Sequence, residues 1–223
     1  MGDNQADSQN IKAPLNTDGL STLNEATATE ILGLILAPPI TNRRIKLVTD
    51  IGQMLKDLEK ENKIRLEDLL ANDQFIDTVF QATSFALKTS EEEKIKAFKN
   101  AILNSALGHA PDKTISQIYL NLVDNFTTWH IRILHLVNDP ESWFRNHQRA
   151  FPNYMAAGLN AVIIDAYPAL KGQSELLNLI WDDLKRAGLH NSGSLGTIMT
   201  GGGLLGSRTT DLGKKFLRFI EGK

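Results

Sequence analysis

Apolar residues recur with helical spacing along most of the N-terminal two thirds of this chain. Ile45, Val48, Ile51, Leu55 and Leu58 are three or four residues apart, which places them on one face of a helix. A second stripe comprises Ile76, Val79, Phe80, Thr83 and Leu87. No segment of this region alternates as a half-buried strand does. Residues 23–148 are therefore predicted to form an all-α helical bundle of about five helices.

Helix ends in the same region are marked by residues that cap helices. Asn72 and Asp112 stand where helices are predicted to begin, and Gly108 where one is predicted to end. Ser90 and Glu93 have the spacing of a capping box.

The longest apolar stripe runs from Ile115 to Val137 and is closed by Asp139-Pro140. It predicts one helix of about 38 Å, the spine of the bundle.

The pattern changes after Arg145. Helices are predicted at 154–167 and 173–187, the second ending at Gly188 with Leu176 and Trp181 on its buried face. A turn-rich stretch at 189–209 follows, containing the β-prone segment "LGTIM". A final helix begins at Thr210 or Asp211.

This order of elements resembles winged-helix transcription factors. The residues that carry the resemblance are Leu184, Gly188, Leu189, Thr210, Gly213, Phe216 and Leu217. It implies a small winged-helix-like domain with a short β-hairpin at residues 149–223. The predicted fold class is thus mostly all-α, with a helical bundle followed by this module.

Charge divides the chain in the same place. Residues 145–223 carry ten Lys and Arg against six Asp and Glu, a net charge of +4, whereas the rest of the chain has a net charge of −6. The candidate partner-contacting or DNA-contacting residues are Lys185, Arg186, Arg208, Lys214, Lys215 and Arg218. Asp182-Asp183 would repel phosphate, so a protein partner and duplex DNA both remain open. A homo-oligomer is a further alternative.

Gly201, Gly203 and Gly206 match G-x-G-x-x-G by letter. A dinucleotide site also needs a second strand, and only seventeen residues follow Gly206. In the phosphate-loop pattern, Ser207-Arg208 stands where Lys-Ser/Thr is required. A nucleotide cofactor is therefore not predicted.

Other catalytic chemistry has no recognisable pattern. The chain has no cysteine, and His130 and His135 are five residues apart, which does not suit a shared metal on a helix. The histidines are interpreted as polar-edge or loop residues, and Asp182-Asp183 as a solvated helix face. We predict no catalytic, cofactor-binding or metal-binding residues. An enzyme or toxin with a dispersed site remains an alternative.

The N-terminal end predicts no globular structure and no membrane span. Residues 1–22 are polar and read as a disordered leader, with regular structure beginning near Leu23. The apolar run Ile31–Ile40 contains two prolines and is about half as long as the ~20 residues that cross a bilayer. It is expected to be a buried segment of a cytoplasmic protein.

The motifs "PPITNRRIKLVTDIGQML", "FIDTVFQATSFAL", "EEEKIKAFKNAILNSAL" and "LVDNFTTWHIRILHLVNDPESW" cover residues 38–143. They resemble uncharacterised bacterial helical proteins and are loosely similar to the abortive-infection alpha-domain group. The resemblance implies a bacterial cytoplasmic protein linked to phage defence or a mobile element, and carries over no catalytic residue. The expected function is a non-enzymatic interaction protein whose C-terminal module contacts a protein or DNA, with a DNA-binding transcriptional regulator as the alternative.

Overall fold

Helices make up most of the described chain. A computed structural model describes residues 38–222, with side chains from Thr41 onward. The predicted leader, the predicted start near Leu23 and most of the run Ile31–Ile40 lie outside these residues.

The elements follow one another as short and medium helices with a single small β pairing. In chain order they are α1 (Pro38–Lys60), α2 (Leu66–Leu69), α3 (Asp73–Ala86), α4 (Glu92–Ala106), α5 (Lys113–Asn125), α6 (Thr128–Asn138), α7 (Pro140–Asn146), β1 (Ala156–Ala157), α8 (Leu159–Ala166), a 3-10 turn (Pro168–Leu170), α9 (Ser174–Arg186), β2 (Met199–Thr200), α10 (Gly201–Leu204) and α11 (Asp211–Ile220). The mostly-α prediction is confirmed for the described residues.

Several helix ends lie where the sequence places them. The side chain of Asn72 accepts a hydrogen bond from the Phe75 N–H at the start of α3, and Asp112 accepts one from the Ile115 N–H at the start of α5. Gly108 and Gly188 have φ values of 70° and 72°, the left-handed conformation that glycine tolerates after a helix.

The predicted 38 Å helix is wrong. Phe126 and Thr127 have extended backbones, so the stripe is divided between α5 and α6. Thr127 and His130 form a capping box that starts a new helix at the break. The stripe also misplaces the buried face of α5, which buries Ser116, Tyr119, Leu120 and Val123 while Ile118 is exposed.

The capping box predicted at Ser90 and Glu93 is also wrong. Glu91 is the N-cap residue of α4 and makes no side-chain cap hydrogen bond. The Glu93 carboxylate instead reaches Arg132 on α6, with Oε1 and Oε2 at 2.8 and 2.9 Å from Nε. A long-range ion pair has therefore replaced a local bond.

Some predicted buried faces are rotated. On α3 the buried residues are Phe75, Thr78, Ala82 and Ala86, whereas Phe80 is 72% exposed. On α1, Leu47 and Ile51 are buried, while Ile45 and Val48 are exposed. Leu176 at the start of α9 is exposed as well. Small residues such as Ala82 let neighbouring helices approach closely, so side-chain size and not only polarity selected the buried face.

The β pairing differs from the predicted local hairpin. β1 and β2 are antiparallel, with Ala156 opposite Thr200 and Ala157 opposite Met199, so the partner strand comes from before α8. Within 189–209, a single antiparallel bridge joins His190 to Thr209, and Gly201–Leu204 is helical.

One core gathers helices from both sides of residue 148. Residues from Lys46 onward belong to one compact unit, in which α11 packs against α4 and α6, and α9 packs against α6. The predicted division at 23–148 and 149–223 stays a prediction. The unit's contacts nevertheless show that α11 owes its position to helices far from it in sequence.

Candidate functional site

Three of the candidate cations lie on one face of α11. Lys214 and Lys215 are adjacent and lie four and three residues before Arg218, and we call the three the α11 basic face. Lys215 and Arg218 are exposed and Lys214 is half-buried. Among residues 41–222, no carboxylate lies within ion-pair distance of any of the three. Their positive charge is therefore available to a partner.

The N-terminal end of α11 is held by contacts with the segment around Gly188. The Thr210 hydroxyl accepts a hydrogen bond from the Gly213 N–H at 3.0 Å and donates one to the Gly188 carbonyl at 2.7 Å. A Cβ at Gly213 would collide with the carbonyl oxygen of Leu189. Glycine is needed here because the two backbones touch.

Two amide side chains of α4 hold the C-terminal end of α11. Asn104 Nδ2 lies 3.1, 2.9 and 2.9 Å from the carbonyl oxygens of Arg218, Phe219 and Glu221. Asn100 Nδ2 donates to the Ile220 carbonyl at 3.0 Å. The last carbonyls of a helix have no partner within the helix, so these amides satisfy groups that burial would otherwise leave unpaired.

An aromatic cluster fixes the buried face of α11. The Tyr119 ring centroid lies 5.4 Å from that of Phe216 and 5.8 Å from that of Phe219. The Tyr119 hydroxyl donates to the Leu212 carbonyl at 3.1 Å, and burial raises the pKa of Tyr119. The phenol therefore stays protonated at neutral pH and keeps this bond. The α11 basic face is thus presented by a rigid helix.

The other three candidate cations lie elsewhere. Arg208 is half-buried, and its guanidinium donates to the Gly203 carbonyl oxygen and lies 3.3 Å from Met199 Sδ. Arg186 pairs with Asp183 on its own helix, and Lys185 is exposed on α9. The structure therefore brings Lys214, Lys215 and Arg218 together and leaves Arg208 engaged inside the fold.

His130 is buried and fully bonded, which corrects its interpretation as a polar-edge residue. Its Nδ1 accepts the Thr127 backbone N–H at 3.2 Å, and its Nε2 lies 3.3 Å from Asp183 on α9. Burial lowers the pKa of His130, although the contact with Asp183 opposes that shift. Asp183 therefore links α9 to α6 and is not simply a solvated residue.

His190, which the sequence placed in a loop, is buried too. Its ring stacks on the Trp181 ring at 3.7 Å between centroids, and its Nε2 lies 2.8 Å from the Trp181 carbonyl oxygen. Its Nδ1 accepts the Ser192 N–H at 3.2 Å. Burial lowers the pKa of His190, so both buried histidines are held neutral.

A cleft of about 700 Å³ opens between α4, α6 and α7, with Tyr167 and the residues after α11 completing its lining. We call it the α4/α6/α7 cleft. Arg132 is fixed in it by Glu93, and His135 Nδ1 lies 2.8 Å from Glu221 Oε1. The Glu93 carboxylate raises the pKa of Arg132, so its guanidinium stays charged.

Sequence reasoning did not find this cleft. A signal existed, because Glu93, Lys96 and Asn100 share one face of α4, and Trp143 on α7 is four residues before His147, the C-cap residue of that helix. Such spacing is also typical of a solvated helix surface. Only the packing of three helices shows that these faces converge.

The α4/α6/α7 cleft contains no recognisable metal centre. Within residues 41–222, no group of three or more His, Cys, Asp or Glu side chains is arranged to hold a metal ion. No described helix combines the length and apolarity needed to cross a bilayer. Comparison of the chain with protein-family models, curated proteins and solved structures found no match. The resemblances to the abortive-infection group and to winged-helix proteins stay predictions.

Proposed function

We propose that this chain is a non-enzymatic interaction protein that contacts an acidic surface of a protein partner through the α11 basic face. The observation that supports this proposal is the combination of three uncompensated cations with a helix anchored at both ends. A rigid helix loses little conformational entropy on binding, and adjacent cations complement a cluster of carboxylates. Leu212 is partly exposed on the same helix and offers an apolar contact beside them.

The charged side chains used in the proposed binding are not needed for folding of α11. Lys215 and Arg218 project from the exposed side of α11, while Phe216, Leu217, Phe219 and Ile220 form its buried side. Replacing the cations therefore changes the electrostatic potential of the surface and leaves the core intact. This separation makes the proposal testable with charge variants.

The test is capture of partners with the intact protein and with the triple variant Lys214→Ala, Lys215→Ala, Arg218→Ala. The control is Lys56→Ala, Lys60→Ala, Lys63→Ala, which removes the same charge from exposed positions at the C-terminal end of α1 and just beyond it. We expect the α11 triple variant to lose acidic partners that the control retains. If both variants capture the same proteins as the intact chain, the α11 basic face is not the contact surface.

Duplex DNA is the second candidate partner. Two observations favour DNA. The order α9, turn-rich segment and α11 is the one expected of a winged-helix-like module, and Lys185 on α9 is exposed. A major-groove helix with additional phosphate contacts would be the mode of binding. In this alternative the protein is a transcriptional regulator. A bacterial cytoplasmic location and a link to phage defence stay predictions from the resemblance.

Salt dependence separates the two candidates. Anisotropy of a labelled duplex should give an affinity whose logarithm falls by about 0.9 per phosphate contact for each tenfold rise in salt. The α11 triple variant should lower that slope, and the α1 control should not. Absence of binding at low salt would eliminate DNA and leave the protein partner.

A further inference from the structure

The α4/α6/α7 cleft is built from three helices that each contribute one face. Glu93, Lys96, Ala97 and Asn100 come from α4, and Ile131, Arg132 and His135 from α6; Trp143, Asn146 and His147 come from α7 or the residue after it. Its volume of about 700 Å³ falls within the range of small-molecule sites, roughly 300–1,000 Å³. The cleft can therefore hold an organic molecule and not only water.

The polar groups of the cleft are fixed in orientation and still have bonding capacity. Glu93 holds Arg132 through Nε and Nη2, which leaves Nη1 free of any partner among residues 41–222. Glu221 holds His135 through Nδ1, and the Trp143 carbonyl oxygen lies 2.7 Å from His147 Nδ1. Each residue thus uses one or two nitrogens for positioning and keeps another for a ligand. Such positioning is what a preorganised binding site requires.

Flat rings form one side of the cleft. The Trp143 and His147 rings stack with centroids 3.8 Å apart, and the Tyr167 ring meets Trp143 edge-on at 5.1 Å. The Tyr167 hydroxyl donates to the Arg132 carbonyl at 3.2 Å, and burial raises the pKa of Tyr167 to about 12. Tyr167 is therefore a neutral, fixed wall. Aromatic walls favour flat rings, which stack or pack edge-to-face against them.

The charges of the cleft leave one cation without a counter-ion. Arg132 is paired with Glu93, and Glu221 is paired with His135. Lys96 is exposed and has no ion-pair partner in the described part of the chain. Lys96 is therefore a cation of the cleft lining that no carboxylate among residues 41–222 neutralises at ion-pair distance, next to the aromatic side.

We propose that the α4/α6/α7 cleft binds a small organic anion that carries a flat ring and one carboxylate or phosphate group. The anionic group lies between Lys96 and the free Nη1 of Arg132, and the ring lies against Trp143, His147 and Tyr167. Ala97, Ile131 and Ile220 line the remaining apolar surface. The site is separate from the α11 basic face and does not depend on the proposed partner.

The test is saturation-transfer NMR followed by calorimetric titration of the full chain with two probe pairs. Indole-3-acetate is compared with neutral indole-3-acetamide, and AMP with neutral adenosine. We expect the anion of at least one pair to bind about tenfold more tightly than its neutral counterpart, the effect of one charge-assisted hydrogen bond. Preference for the first anion identifies a carboxylate ligand, and preference for the second a phosphate ligand.

Variants place the binding in the cleft. Lys96→Ala should reduce the preference for the anion, with Arg132 Nη1 as the remaining cationic contact, whereas His147→Ala should weaken binding of the anion and of its neutral counterpart alike. Lys56→Ala, on the exposed side of α1, is the matched control and should change neither. The proposal is overturned if no anion binds with a Kd below about 5 mM, or if Lys96→Ala binds both members of each pair as the intact protein does.

Discussion

The two ends of α11 are fixed by different kinds of contact. At the N-terminal end, backbone meets backbone, as Gly213 lies against the Leu189 carbonyl oxygen and the Thr210 N–H donates to that oxygen at 2.9 Å. At the C-terminal end, the side chains of Asn100 and Asn104 cross more than 110 residues of sequence to reach α11 carbonyls. At the N-terminal end, Gly213 has no room for a side chain, whereas the C-terminal end requires the amide side chains of Asn100 and Asn104. Substitutions at the two ends should therefore fail for different reasons.

The largest loss of stability is expected from a substitution in the buried core that lies between the two ends of α11. Phe216 is fully buried and its ring contacts Tyr119 and Phe126. Phe216→Ala should lower the free energy of unfolding by about 3–5 kcal/mol, because it removes buried apolar surface and leaves a cavity. Urea denaturation of the variant and the intact chain measures the difference. A loss below about 1 kcal/mol would show that α11 is not part of the cooperative core.

The next effect isolates the C-terminal end. Asn104→Ala should lower the free energy of unfolding by about 1–3 kcal/mol, because it leaves buried carbonyl oxygens of α11 without their hydrogen-bond donor. Asn178→Ala, at an exposed position on α9, is the control and should stay within about 0.5 kcal/mol of the intact protein. Hydrogen exchange should show faster exchange in α11 of the first variant. Equal stability of both variants would contradict the role given to Asn104.

A pair of glycine substitutions isolates the N-terminal end. Gly213→Ala should lower the free energy of unfolding by about 1–3 kcal/mol, because the added methyl group forces α11 away from Leu189. Gly202 in α10 has nothing within 4 Å of an added Cβ, so Gly202→Ala should raise the free energy of unfolding by about 0.4–1 kcal/mol. Thermal denaturation of both variants gives the comparison. The same sign for both would contradict the close approach at Gly213.

The smallest effect expected per residue is a pH dependence of the free energy of unfolding, caused by the two buried histidines. The pKa values of His130 and His190 are lowered in the folded chain, so the unfolded chain binds more protons as pH falls through about 6.5. Stability is therefore full above that pH and falls below it, by at most about 1.4 kcal/mol per pH unit for each histidine. Urea midpoints at several pH values between 7.5 and 5.5 measure this loss.

The control for the pH effect is the double variant His130→Gln, His190→Gln. Glutamine does not titrate, so the midpoint of this variant should change little over the same pH range. A decline as steep as that of the intact chain would assign the proton uptake to other groups.

Local signals predicted much of the helical framework and little of its assembly. Asn72, Asp112, Gly108 and Thr210 marked helix ends correctly, because capping depends on residues within one turn of the end. The continuous helix through Phe126 was wrong, because the capping box of Thr127 and His130 competes with helix propagation. His130 is in turn held by Asp183, which is 53 residues away.

The candidate site was predictable only in part for the same reason. The clustering of Lys214, Lys215 and Arg218 follows from helical spacing alone. The position of the half-buried Arg208 could not be predicted from helical spacing. Its guanidinium bonds to a carbonyl oxygen of α10, a segment that the sequence indicated as part of a hairpin. The α4/α6/α7 cleft escaped prediction because its residues come from separate helices whose relative positions no local pattern encodes.

The sequence by itself determined the mostly helical composition, many helix ends and the basic face of α11, since these depend on contacts within a few residues. The tertiary structure decided which apolar face is buried, where the spine breaks and how 189–209 is paired. It also decided that the G-x-G-x-x-G stretch begins with the short helix α10, which packs beside β1 and β2. These choices depend on close packing and on satisfying buried polar groups between distant segments, and both are properties of the assembled chain.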